Sequence, residues 1–161
     1  MRTLLVLGLL TAAFCHGAQA QELRRYVEPR FGTAANVPAG WRSEPLSSAG
    51  GSGSQFVSPD GGTWIAVYGM RAEAGRADRG VPDSGFANEN VTYRADGAQW
   101  FVRSGVKQRD RIFYRKAVFS CGGRVAHLLA FEYPAAEKRE HDRLVTLIAR
   151  SLRAGRGGEA C

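Results

Sequence analysis

The residues that could do chemistry in this chain are few and scattered. Ser104-Gly105-Val106-Lys107 has the S-x-x-K spacing in which a lysine activates a serine nucleophile. That chemistry needs the serine at a helix N-terminus, so that the lysine faces it one turn on. Here the four residues lie in an extended run, where positions three apart point to opposite faces. The supporting S-D-N and K-T-G strings are absent, and so is the G-x-S-x-G elbow of a serine hydrolase. Past residue 20 only His127 and His141 remain as imidazoles. A helix packed over the hairpin that carries His127 could bring the two together, and with Glu132 or Glu137 they could hold a metal. No spacing demands it, and a hydrogen-bonded histidine at the core or its boundary is the favoured account of each. Asp60 and Asp96 stand beside glycines in turns, where Asp serves the backbone. The glycines of Gly50-Gly51-Ser52-Gly53 open no helix and so make no phosphate loop. Asn90-Val91-Thr92 is a glycosylation sequon, relevant only on a eukaryotic secretory route. On this basis no catalytic, cofactor-binding or metal-binding residue is assigned, and no cofactor is expected.

Aromatic residues interleaved with arginine are the more promising pattern. Tyr93-Arg94, Trp100 with Arg103, and Tyr114-Arg115 could form a face that combines stacking with positive charge. Such a face can take an anionic glycan, a lipid head group or single-stranded nucleic acid. The alternative is ordinary strand composition with the rings in the core.

These residues must be held by a mostly β framework. Tyr26 to Val37 reads as extended, broken at Pro29 and Gly32, and Ser47 to Ser54 as a mobile Gly/Ser loop. Gln55–Ser58 and Thr63–Met70 flank the turn Pro59-Asp60-Gly61-Gly62. Arg76–Gly85 is polar and broken, with a short helix possible over Ser84–Glu89. Val91–Arg94 and Gln99–Val106 are strands about a turn at Asp96-Gly97. Arg111–Cys121 and Arg124–Tyr133 flank Gly122-Gly123, which suits a two-residue primed hairpin. Both faces of this last pair are partly apolar, as in a sheet covered on each side. One long helix is expected over Ala135–Leu152, with Pro134 at its start and His141, Leu144, Val145, Ile148 and Leu152 on one buried stripe.

The compartment is read from the other end of the chain. Arg2, an apolar run from Leu4 to Phe14, and Ala18-Gln19-Ala20 have the three parts of a cleavable signal peptide over residues 1–20. The run is shorter than the roughly 20 residues that span a bilayer. The remainder, residues 21–161, has the length of a single α+β domain with no later membrane span. The chain of 161 residues carries a net charge of +7, and arginine supplies most of its 22 basic residues. Codon composition is the favoured account of that, since nothing clusters the charge tightly enough to prefer attraction to anionic envelope components. Cleavage removes Cys15 and leaves Cys121 and Cys161, which an oxidising compartment favours as an internal disulfide over separate thiols or a Cys161-linked dimer.

Seven strings, Pro29-Arg30-Phe31-Gly32, Phe56-Val57-Ser58-Pro59-Asp60-Gly61, Val91-Thr92-Tyr93-Arg94, Trp100-Phe101-Val102, Ile112-Phe113-Tyr114, Ser120-Cys121-Gly122-Gly123-Arg124 and Glu132-Tyr133-Pro134, together resemble a group of uncharacterised exported proteobacterial proteins. Thr33 and Val37 depart from that group's aromatic pattern. The order of an N-terminal β segment, a meander and a long C-terminal helix is similar to the PsbP-like α/β/α sandwich. That resemblance implies an antiparallel sheet of about six strands with the C-terminal helix packed on it. The function expected is a non-catalytic periplasmic or secreted binding or accessory domain, whose partner is an envelope protein or anionic polymer and not nucleic acid. An envelope enzyme, or a basic module that docks on anionic polymer, is the alternative. Oligomeric state is left open.

Overall fold

The computed structural model describes residues 21–48, 51–72, 89–108 and 110–155. The expected leader, the stretch 73–88 with its expected helix, and Cys161 lie outside the described residues. Element order is β1 (Leu23–Val27), β2 (Thr33–Pro38), β3 (Arg42–Ser48), β4 (Gly51–Val57), β5 (Trp64–Arg71), β6 (Glu89–Gly97), β7 (Trp100–Lys107), β8 (Arg111–Ser120), β9 (Val125–Pro134), α1 (Lys138–Ser151) and β10 (Arg153–Ala154). The architecture is α+β. It has two antiparallel sheets where one of about six strands was expected: a seven-stranded sheet in the order β3-β4-β5-β9-β8-β7-β6, and a small one in the order β1-β2-β10. The Ser47–Ser54 stretch expected as a mobile loop is instead divided between two paired strands. Ser47 and Ser48 end β3, and Gly51 to Ser54 open β4. β4 is hydrogen-bonded on both sides, with Gly51 opposite Ser48 and Met70. Backbone pairing needs no side-chain anchor, so composition alone misjudged this segment.

β9 lies at the centre and is buried from Val125 to Tyr133, which explains its near-continuous apolar sequence. Leu129, Phe131 and Tyr133 point to the face that packs on α1 and the small sheet, together with Phe56, Ile65 and Val67. On the other face Ala126 and Leu128 pack with Ala117 and Phe119. The helix contributes Leu144, Val145 and Ile148 of the stripe read from its period, with His141 half-buried at the edge, and buried Leu152 follows as its extended C-cap. Its first turn, Ala135–Glu137, is 3-10 rather than α, because Pro134 fixes the approach in an extended conformation.

Two turns differ from expectation. β6 runs through Asp96 and Gly97, and the β6–β7 turn is Ala98-Gln99, with Gly97 paired to Trp100. The β8–β9 connection is a 3-10 turn over Cys121–Gly123, in which Cys121 (φ 56°), Gly122 (φ 66°) and Gly123 (φ 88°) are all left-handed. Ser120 pairs with Val125, so the loop has four residues and not two.

Candidate functional site

Three polar clusters and one exposed surface compete for the role of site. The deepest cluster is built on His127, which is 1% exposed near the β8–β9 turn. Its Nδ1 lies 2.8 Å from Thr33 Oγ1 and its Nε2 2.8 Å from Ser120 Oγ. Gly69 is the cross-strand partner of His127. A Cβ there would collide with Phe31 Cβ and Thr33 Oγ1, so the missing side chain is what lets the Phe31–Thr33 segment settle on the sheet. Glu28, 1% exposed, closes that segment by accepting from the N–H groups of Arg30 and Phe31, at 2.8 and 2.7 Å. Burial lowers the pKa of His127, and the negative charge of Glu28 opposes that shift. A neutral imidazole beside a serine hydroxyl is the geometry of a general base. Here, however, both ring nitrogens are taken up by hydroxyls within the fold, and the ring is closed to solvent. The arrangement ties the small sheet to the large one.

His141 is at the far end of β9 from His127. Its Nε2 lies 3.0 Å from Glu137 Oε2 and 3.2 Å from Thr63 Oγ1, and its ring packs on Tyr133 with centroids 4.9 Å apart. Burial and the neighbouring Asp142 push the Tyr133 hydroxyl up to about 12. The two histidines are not brought together. Among the described residues no group of three His, Cys, Asp or Glu side chains could hold a metal.

The third cluster lies on the sheet face away from α1. Glu132, buried on β9, accepts from Lys107 Nζ at 2.9 Å and Arg111 Nε at 2.7 Å, and Arg111 also donates to Gly62 O at 2.8 Å. Glu89 pairs with Arg115 alongside. Burial raises the pKa of Glu89 even so, against the lowering effect of that guanidinium. Ser104 and Lys107, the S-x-x-K pair, fall on opposite faces as their spacing requires. Ser104 donates to Phe113 O at 2.8 Å, while Lys107 is spent on Glu132.

The six residues expected to form one aromatic and cationic face are divided by the sheet. Directly opposite residues share a face. Tyr93 is opposite Ser104, Ser104 opposite Tyr114, and Tyr114 opposite Phe131, which puts Tyr93 and Tyr114 on the helix side. Trp100 follows through its pairing with Val118 and then His127. Arg94, Arg103 and Arg115 are opposite one another in turn and lie on the other side. Sequence neighbours such as Tyr93-Arg94 must separate in this way, because strand side chains alternate. Arg103 lies over the Phe101 ring at 5.0 Å and pairs with Asp96 at 2.7 Å, and Arg115 lies over Phe113 at 5.1 Å. On the helix side Tyr114 is half-buried, while Tyr93 is 56% and Trp100 41% exposed. Lys116, between Tyr114 and Val118 on that face, donates to Ala149 O at 2.7 Å, and burial lowers its pKa.

Sequence reasoning missed Glu28, Thr33 and Ser120. None belongs to a catalytic or ligand-binding motif, and Thr33 is joined to His127 only by tertiary approach.

Neither a family model nor a curated protein matches the chain. Among solved structures it is similar to the solution structure of cyanobacterial PsbP (CyanoP) from Synechocystis sp. PCC 6803. The TM-score is 0.58 at 14% identity, over 87% of this chain and 96% of that one. At that identity the likeness shows the fold alone. The fold is PsbP-like.

Proposed function

We propose that the chain is a non-catalytic binding or accessory domain, exported after removal of residues 1–20, that engages its partner through the helix-side surface of β6 and β7. The observation that carries this is the exposure of Tyr93 and Trp100 on the sheet face whose central strands are buried under α1 and the small sheet. Large rings left in water beside a covered core are the composition of a contact surface. The buried imidazole and carboxylates support the same reading, since their hydrogen bonds are used within the fold. Among the described residues no helix is long and apolar enough to cross a membrane. The test uses the protein carrying Tyr93→Ala and Trp100→Ala as bait for cross-linking in the compartment to which it is exported. A partner captured by wild type and lost by the variant, with thermal stability kept, is the expected result. Equal capture by both would end this reading.

We propose also that Cys121 and Cys161 form a disulfide. The chain has the reach for it. Ala154 pairs with Thr33, which bonds His127, which bonds Ser120, so the chain leaves β10 on the rim that carries Cys121. Gly155 N–H is held there by Gly32 O at 2.6 Å. The six residues from 156 to 161 span up to roughly 20 Å when extended.

A further inference from the structure

We infer that the partner edge for β6 is the β6 of a second copy, paired antiparallel about a two-fold axis through Ala95. This rests on the reading that the β6–β7 end is a contact surface, and it names what makes the contact.

Among the described residues β6 has a strand neighbour on one side only, β7. The other edge of the large sheet, β3, is blunted by Pro45 and by the Arg42–Glu44 ion pair at 3.0 Å. β6 has no proline, and beyond its irregularity between Val91 and Tyr93 it runs regularly to Gly97. Such an edge is a template for another strand. Its side chains choose the register. Arg94, Arg103 and Arg115 stand directly opposite one another, an arrangement of like charges that disfavours the sheet unless acids intervene. Glu89 serves Arg115 and Asp96 serves Arg103. With the axis at Ala95, Arg94 of each copy is opposite Asp96 of the other, so opposite charges meet across the new strand pair. A guanidinium has five N–H donors and a carboxylate about four acceptor sites, so both can add this contact to those they make already. Moving the axis to Arg94 or to Asp96 would instead set like charges face to face.

The same register settles the exposed rings. On the helix side it places Tyr93 of one copy opposite Gly97 of the other. The Trp100 indole already lies against that glycine, where a Cβ would strike the ring. The incoming tyrosine finds that glycine already covered by the indole and packs against the indole itself, an aromatic contact across the new strand pair. Both rings that are more than two-fifths exposed in one copy are thereby shielded in the pair.

Sedimentation equilibrium on the purified protein should show a reversible monomer–dimer equilibrium. Arg94→Asp and Asp96→Arg should each weaken the dimer by about tenfold or more, and the double exchange Arg94→Asp/Asp96→Arg should restore most of it. Because the Asp96 change also removes the Arg103 ion pair, Ala95→Cys gives an independent reading. At the axis the two introduced thiols should oxidise to a disulfide-linked dimer. A protein that stays monomeric throughout, a dimer indifferent to positions 94 and 96, or a dimer that does not cross-link through position 95 would overturn the inference. A monomer whose Tyr93→Ala/Trp100→Ala variant still loses its captured partner would sink this inference and leave the contact-surface reading standing.

Discussion

The centre of the large sheet and its β6 edge use similar residues for opposite purposes. Around β9, aromatic and aliphatic side chains on one face are sealed by α1 and the small sheet, and the buried polar side chains among the described residues are matched inside the fold. Three strands away, at β6 and its turn into β7, the same alternation of ring and charge leaves Tyr93 and Trp100 exposed on the helix side. Phe131 and Tyr93 lie on one cross-strand row, yet Phe131 is 1% exposed and Tyr93 is 56% exposed. What separates them is the reach of α1, whose buried stripe ends its cover near β8. The sequence has no local mark of that limit, since strands of alike composition become core or surface according to what lies above them.

The contrast can be broken at several points. The largest effect is expected from Cys121→Ser. In the chain-entropy model the proposed bridge closes a loop of 41 residues (121 to 161 inclusive) and stabilises the fold by roughly 4 kcal/mol. Non-reducing peptide maps of exported protein should yield one cross-linked pair, and two alkylatable thiols would refute the bridge. Next is the core beneath the helix. Ile148 is fully buried, so Ile148→Ala should cost about 2–5 kcal/mol in chemical denaturation. Arg139, exposed on the same helix, should cost no more than about 0.5 kcal/mol when changed to Ala. Equal effects would mean that the helix is not packed as described.

A smaller effect tests the buried tether. Burial favours the neutral imidazole of His127, so its folded pKa lies below the unfolded value of about 6.5. Its contribution is complete above about pH 6.5 and drains away as pH falls through the folded value. His127→Gln should therefore flatten part of the acid slope of the melting temperature, and an identical slope in both proteins would dismiss the tether as a source of pH dependence. Smallest of all is Trp100→Ala, expected to shift stability by about 0.5 kcal/mol or less while abolishing partner capture. A loss of stability comparable to that of Ile148→Ala would place Trp100 in the core after all.

These tests bear on how much could be read before the structure was known. Leu144, Val145 and Ile148 show their burial through helical spacing, and Pro59-Asp60-Gly61 marks its turn, because period and turn chemistry are local properties. Ser52 and Gly53 hide their strand because their pairing is supplied by β3 and β5. The division of Tyr93 from Arg94 follows from alternation once both are placed in a strand, yet reading them as a cluster obscured it. The Ser120–His127–Thr33 chain was beyond reach, since Thr33 and His127 are 94 residues apart and are joined only by the fold.

The small sheet sets a timetable. β2 lies near the beginning of the described chain and β10 at its end, with Asn36 N–H bonded to Ser151 Oγ across 115 residues. Contacts of such long sequence separation form late and slow the whole transition. A chain delivered from its N-terminus, as on the export route proposed above, cannot finish this sheet until its last strand has crossed. The closure of β2 on β10 thus waits on the far end of the described chain, whereas every strand of the large sheet precedes it.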